Sequence, residues 1–443
     1  MNKQTIIDNN ARIEALTKRL NNSTLADVRD TTATANDVLS GKVFYSKDGV
    51  KTTGTLEAGG GSGDIGSGNY YLKVIDYDGT VLAEKRLNTG DTFTLPNAPS
   101  HDGLVFQEWS CSQEIVDGVI TIADNNVMVG AVYTTASGLS EFDITLTKKT
   151  GLDVTLNMDG TKNWGDGTSD DLTTHTYTGY GDYTITCNGT KITSISVQSS
   201  LTSARLGASV TSIGSTFQSC ASLTEVIIPN SITSIDNYAF QSCASLKGMV
   251  IPQGVKGVGA NSFQYCRSLE AMVIPQGVTN IGQNAFKECT LTEAVIPNSV
   301  TSIGFYAFQN CSSLKGIVIP NSVASISSYA FEGCVSLKRL TISQSVTSIG
   351  SNIFKTLMAL REVVIPNSVA SIGSYAFQQC LALIKYDFTQ HTTIPTLDNT
   401  NAFSNINVIC KIYVPDDLYD EWIVATNWST YADYIYKASE MEA

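Results

Sequence analysis

Positive charge is what this sequence most lacks. Lys and Arg number 28 against 41 Asp and Glu, a net charge of −13, and no basic cluster stands anywhere. Binding DNA or RNA needs a basic stripe that neutralises phosphates, so the sequence argues against a nucleic-acid partner. Charge of either sign is thin, at 16% of residues, where about 25% is usual for globular chains. Histidine is rarer still. His101, His175 and His391 lie in three different segments, none with H-x-x-x-H or C-x-x-C spacing, so no metal site is expected. No apolar run approaches the roughly 18 residues that span a bilayer. The opening MNKQTIIDNNARIEALTKRL has neither an apolar core nor a small-residue cleavage site. The expectation is therefore a soluble chain made in a cytoplasm, without membrane insertion. G-x-S-x-G and Walker loops are missing too, so no catalytic residues, no cofactor and no enzymatic activity are expected. W-G-D-G (164–167) offers Asp166 to a calcium ion in principle, but a lone acidic turn is usually only a turn.

What is present is repetition. Glycine (35 residues), Ser, Thr and Asn give the look of a turn-rich β protein. From about residue 208 one pattern recurs, S-V-T-S-I-G-x-x-A-F-x-x-C-x-S-L-x-x-V-x-I-P-N. Its phenylalanine falls at Phe217, Phe240, Phe263, Phe286, Phe308, Phe331, Phe354 and Phe377, in steps of 23, 23, 23, 22, 23, 23 and 23. A unit this short cannot bury its own apolar face, so neighbours must stack into a solenoid. L-x-x-V-x-I-P reads as a strand that Pro terminates. These motifs resemble the BspA-like leucine-rich repeats over roughly 195–385. The resemblance implies a surface or secreted protein used for adhesion and recognition. After the repeats, 412–440 resembles the terminal segment of such arrays. There Asp416 is expected to cap a helix, and Leu418, Trp422, Ile423 and Trp428 to close the open core.

Three further pieces lie upstream. Residues 140–190, with W-G-D-G-T, H-T-Y and G-D-Y-T-I-T, resemble a PKD-type β module. Residues 69–135, with Val74, Gly79, Gly90, Leu95-Pro96, Pro99, Gly103, Phe106 and Trp109, resemble the internalin B-repeat, a small β-grasp-like module. AGGGSGDIGSGN reads as a flexible linker. Residues 3–20 read as a helix with Ile6, Ile13 and Leu20 on a coiled-coil seam and Asn9 at a core position. The pattern A-x-D-V-L-x-G-K-x-F-Y-x-x-D-G-x-x-x-T-G-T in 32–56 resembles a module of phage and prophage tail proteins. The expected fold is mainly β and multidomain: an N-terminal helix and docking module (1–57), a linker (58–69), a B-repeat-like module (70–136), a PKD-like module (140–191), a leucine-rich-repeat solenoid (192–385) and a helical C-terminal cap (386–443).

Seven repeats carry Cys three residues after the Phe: Cys220, Cys243, Cys266, Cys289, Cys311, Cys334 and Cys380. The eighth carries Leu357, so the column reads as a buried apolar ladder of free thiols. Two rows are candidates for binding. Tyr238, Asn261, Asn284, Tyr306, Tyr329, Asn352 and Tyr375, two residues before each Phe, form a column able to stack on and hydrogen-bond to sugars, or to pack the outside of the turn. On the strand, period-two alternation turns Ile227, Val250, Val273, Val295, Val318, Thr341 and Val364 outward. Such a stripe marks a partner surface, unless another element covers it.

The order of modules favours a tail fibre or receptor-binding appendage of a phage or prophage. It would be assembled in the host cytoplasm and docked to other virion proteins through 1–57. The chain would be a homo-oligomer, a trimer by preference, and would bind a host cell-surface glycan or protein through its repeats. The alternatives are a BspA-like adhesin at a bacterial surface and a purely architectural virion subunit.

Overall fold

In a computed structural model the repeat winds into a stack of coils, and its register follows the sequence period. The structure describes residues 43–45, 51–53, 68–102, 104–123, 125–135, 142–147, 153–158, 160–178, 182–187, 192–195, 201–208, 210 and 213–441. The chain divides into two units, Met1–Gly66 and Ser67–Ala443. In the first, Val43–Tyr45 pairs antiparallel with Lys51–Thr53. The helix and seam expected at 3–20 lie outside the described residues.

Each coil of the second unit contributes to two parallel ladders. The longer strands pair one coil apart, Met249 with Met272 and Ile317 with Leu340. A shorter ladder pairs Ile281 with Ile303 and Ile303 with Ile326. Between them the chain turns a corner around the phenylalanine. The rings stack from Phe217 to Phe377 at centroid distances of 5.1–5.9 Å. The corner is closed by backbone. The N–H groups of Tyr238, Phe240 and Ser242 donate to Ala260, Ser262 and Gln264 of the next coil at 3.0, 2.7 and 2.7 Å. Aiming alternate N–H groups the same way requires left-handed backbone on both sides of the Phe. The residues two before it have φ of 54–63° from Tyr238 to Tyr375, and those two after it, from Ser219 to Gln379, have φ of 57–73°. Neither column contains Val or Ile, and Thr356 is the one β-branched residue in either, in keeping with the poor fit of a branched Cβ in this region.

Both ends of the stack are closed. At the start, Leu201–Leu206 runs antiparallel to Phe142–Thr147 and parallel to the first main strand, Glu225–Ile227. One apolar core therefore runs from Trp164 and Tyr177 through every coil to Ile435. At the end the stack passes residue 385. Phe403 stacks on Phe377 at 5.7 Å as a ninth ring, and the main ladder continues through Lys411–Val414 to Ile435–Lys437. Trp422 and Trp428 are buried there. At this ninth ring the Phe403 N–H donates to the Tyr431 hydroxyl at 3.1 Å. The cap is helical in short pieces: one α-turn, Tyr419–Trp422, whose N-cap is Leu418, and the 3-10 stretches Trp428–Tyr434 and Ala438–Glu440. Asp416 does not cap it; its carboxylate accepts the N–H of Ser439 at 2.9 Å.

Residues 70–135 form a four-stranded sheet in the order Val81–Leu87, Tyr70–Ile75, Val127–Thr135, Leu104–Cys111. It has its own small core of Leu72, Val74, Cys111, Ile120, Ile122, Val127 and Val129.

Candidate functional site

The strand face is not one continuous exposed stripe. The sheet of residues 70–135 lies on its first half. Ile75, Met128 and Val132 pack with Val250, Ala271, Val273 and Val295, and Ala131 and Tyr133 pack with Ile227. The residues expected to face a partner at 227, 250, 273 and 295 are thus buried by the chain's own module, because aliphatic side chains on two sheets exclude water from each other. Fit comes from small residues on both sides. A Cβ on Gly130 would stand 2.3 Å from a Val250 methyl, and one on Gly248 would stand 2.4 Å from the Asp78 carbonyl. Polar groups fix the register along the turns after the strands. The Cys111 N–H donates to Gln253 Oε1 at 3.0 Å, and the Cys111 carbonyl accepts from Gln276 N at 2.6 Å. Asn125 Nδ2 donates to the Ile296 carbonyl at 3.1 Å. Sequence reasoning missed this contact, although a signal was there. The second and third coils read P-Q-G where most others read P-N-S, and of the two glutamines the Gln253 side chain takes the Cys111 N–H, whereas Gln276 contributes its backbone N–H.

Beyond the module the face is open. Val318 is half-buried, Thr341 is exposed and Val364 is 57% exposed. Arg339 and Glu362 stand exposed on the same strands. Further on the face turns polar and aromatic, with Lys385 3.9 Å from Asp387 and Lys411 Nζ 5.1 Å from the Tyr436 ring.

The Tyr/Asn column has a backbone origin, since all seven residues occupy the left-handed region. Asn tolerates that region well. Several of their side chains engage one another. Asn284 Nδ2 donates to Asn261 Oδ1 at 3.0 Å, Tyr306 stacks on Tyr329 at 4.9 Å, and Asn401 donates to the Tyr375 hydroxyl at 3.2 Å. Asn352 is buried, whereas Tyr238 is 42% exposed.

The seven column cysteines are buried and free. Their thiols point at backbone: Cys243 donates to the Phe217 carbonyl at 3.0 Å, Cys266 to Phe240 and Cys289 to Phe263 at 3.1 Å. A weak S–H donor that is also a small hydrophobe suits a dry wall carrying a carbonyl. Burial pushes the Cys266 and Cys311 thiols up to about 12. Iodoacetamide at pH 8 is therefore expected to leave all seven unmodified in the folded chain and to label them in denaturant, as read by mass spectrometry. Rapid labelling without denaturant would contradict the buried column.

Asp166 is occupied by its own surroundings. Its carboxylate accepts from the Thr168 hydroxyl at 2.6 Å and N–H at 3.1 Å and lies 2.8 Å from His175 Nε2. These hydrogen bonds, those of Thr168 foremost, hold its pKa down to about 2. His175 in turn stacks on Trp164 at 4.9 Å. Among the described residues no three His, Cys, Asp or Glu side chains are grouped to hold a metal ion, and no helix is long and apolar enough to cross a membrane.

The repeat residues match a known family model. Residues 190–315 and 279–410 match the BspA type leucine rich repeat region. No curated protein matches the chain. Among solved structures, a leucine-rich repeat protein from Bacteroides ovatus is 24% identical over 52% of this chain and 64% of that one, with a TM-score of 0.43. The match thus spans a little under two thirds of that protein's length. A leucine rich cell surface protein from Faecalibacterium prausnitzii is 25% identical over 48% of this chain and 70% of its own, with a TM-score of 0.29. A leucine rich repeat protein of T. pallidum is 31% identical over 29% of this chain and 61% of its own, also at 0.29. With its period, its two parallel ladders and its stacked phenylalanines, the repeat region of this chain belongs to the BspA-type leucine-rich repeat family.

Proposed function

We propose that the chain is a recognition protein of a bacterial surface, binding a partner non-covalently rather than transforming it. The observation that carries this reading is the half-open strand face. In a BspA-type solenoid whose first coils are covered by the chain's own module, Val318, Thr341 and Val364 with Arg339 and Glu362 form an amphipathic strip left to solvent. Adhesion is what the family resemblance implies, and it needs such a strip. The test is retention of the fluorescently labelled chain on bacterial and epithelial cells by flow cytometry. Val364→Asp is expected to reduce retention at least about tenfold, because an unpaired carboxylate would have to be desolvated in the contact. Its circular dichroism should not change, since Val364 is exposed. Retention of neither form, or equal retention of both, would count against the strip.

A second reading keeps the chain on a particle, as a receptor-binding or architectural tail subunit that docks through 1–57 as an oligomer. The pattern in residues 32–56 favours it; the repeat family favours the adhesin. Immunogold labelling of the producing culture separates them, with label on the cell envelope for the adhesin and on virions for the tail subunit.

A further inference from the structure

We propose a carbohydrate-binding groove on the shorter ladder, between the first and fourth coils and separate from the strand face. The starting observation is an open groove of about 560 Å³, lined by Ser234, Asp236, Asn237, Tyr238, Gly257 and Asn280 among others. That size suits one or two sugar rings.

A repeat protein carries its own internal reference. Where a coil departs from the repeat without any need of the core, something else requires the departure. Three such departures meet in this groove. Asp236 stands in a column that reads Gly214, Gly259, Gly282, Gly304, Gly350 and Gly373, with Ser327 the one other exception. Gly257 stands where Ser234, Ser302, Ser325, Ser348 and Ser371 recur, and Asn280 replaces the same serine one coil later. The last two are linked in space. A Cβ on Gly257 would lie 2.7 Å from Asn280 Oδ1, so the missing side chain is what lets Asn280 lie across the groove floor. Asn280 is exposed and Asp236 half-buried. Neither departure fills a core position. The first coil is also one residue short, with Gly214-Ser215-Thr216-Phe217 against Asp236-Asn237-Tyr238-Ala239-Phe240. The ring of Tyr238 therefore has no counterpart below it, and it is the most exposed of its column at 42%.

The chemistry of the lining selects the ligand class. Asp236 offers a carboxylate, one oxygen of which takes the Ser234 hydroxyl at 3.0 Å, and its other oxygen can accept from a sugar hydroxyl. The Asn280 side chain offers both a donor and an acceptor, and neither has a hydrogen-bond partner among the described residues, its backbone alone pairing in the ladder. Tyr238 supplies an apolar ring face with a polar edge, which suits the C–H face of a pyranose. One carboxylate and no cation disfavour an anionic ligand and are too few for a metal ion. A neutral sugar with hydroxyls in both hydrogen-bonding senses fits what remains.

The test is saturation-transfer NMR on the full chain with lactose, N-acetylglucosamine and glucuronate as free probes at millimolar concentration. Three substitutions write the repeat's own residues back into the groove: Asp236→Gly, Tyr238→Asn and Asn280→Ser. Asn is what the left-handed position carries at Asn261, Asn284 and Asn352, so an unchanged melting temperature is expected. Saturation transfer to at least one neutral sugar and little to glucuronate is expected. Tyr238→Asn alone should weaken the neutral sugar on the order of tenfold, and the triple variant should abolish its signal. Any one of three results would overturn the site: no transfer to either neutral sugar, glucuronate binding as well as they do, or full transfer in the triple variant. Because Val364 is not in the groove, cell retention through the strand face and sugar binding here fail independently.

Discussion

Replacing Phe308 with Ala is expected to destabilise the solenoid by about 3–5 kcal/mol and to split its unfolding into two transitions. The ring is fully buried and stacks on Phe286 at 5.1 Å and on Phe331 at 5.2 Å. Its removal leaves a hole in a column whose neighbours cannot close in. Each is held one coil apart by its own backbone, with Phe286 N donating to Ala307 and Phe308 N to Ala330, both at 2.8 Å. The transfer and cavity terms therefore both apply. The position matters as much as the size. Each coil of a solenoid touches only its neighbours, so cooperativity between the two halves passes through the contact that the ring makes. Phe308→Leu keeps most of the volume and should be milder, at roughly 1.5 kcal/mol or less. Urea unfolding followed by circular dichroism checks both. A loss for Phe308→Ala under about 1 kcal/mol, or a single transition of unchanged steepness, would show that the column is not what couples the coils.

The column was legible in the sequence because the same core problem is solved eight times, and repetition separates the required residue from the incidental one. The buried thiols were legible for the same reason: Leu357 stands in their column, and only an apolar position accepts both. What could not be read was whatever breaks the period or is written in the backbone. Phe403 follows Phe377 by 26 residues rather than 23, so the extra residues hid a ninth coil that the stacked ring reveals. The Tyr/Asn column suggested a sugar platform, yet its shared property is a positive φ, which Tyr does not announce. Asp416 after Pro415, ahead of Leu418 and Trp422, looked like a helix start. The segment instead folds back, so that the Ser439 N–H reaches the carboxylate. Likewise the segment around Trp164 read as a separate PKD-type module, because burial in a core shared with coils forty or more residues away has no local signature. In the structure it shares the solenoid's core.

The same blindness to distant contacts hid the docking of residues 70–135, and that docking yields the second large effect. The double substitution Gly130→Leu and Gly248→Val is expected to detach the module while leaving module and solenoid folded. At Gly248 an added Cβ would meet the Asp78 carbonyl at 2.4 Å and Gly79 Cα at 2.5 Å. Both are backbone atoms, so no rotamer change relieves the overlap. At Gly130 it would meet methyls of Val250 at 2.3 and 2.8 Å, themselves pinned between two sheets. The contact resists with aliphatic burial worth about 1.5–3 kcal/mol for each fully covered side chain and with the hydrogen bonds of Ser110, Cys111 and Asn125. Two wedges are therefore specified rather than one. Neither touches the module's own core of Leu72, Val74, Cys111 and Val127, nor the phenylalanine column, so both parts should keep their circular dichroism. Release should appear as a larger radius of gyration in small-angle scattering. A rise in ANS fluorescence should accompany it as Ile227, Val250, Val273 and Val295 meet solvent. Scattering and ANS signals identical to those of the parent chain would mean the overlaps are absorbed by small shifts of the sheet. If the free half of the strand face is what binds, the released variant presents the same row over twice as many coils, Ile227 to Val364. Its cell retention should then rise, whereas a module that itself contributes to binding would make retention fall. The sign of that change separates a shield from a partner in recognition.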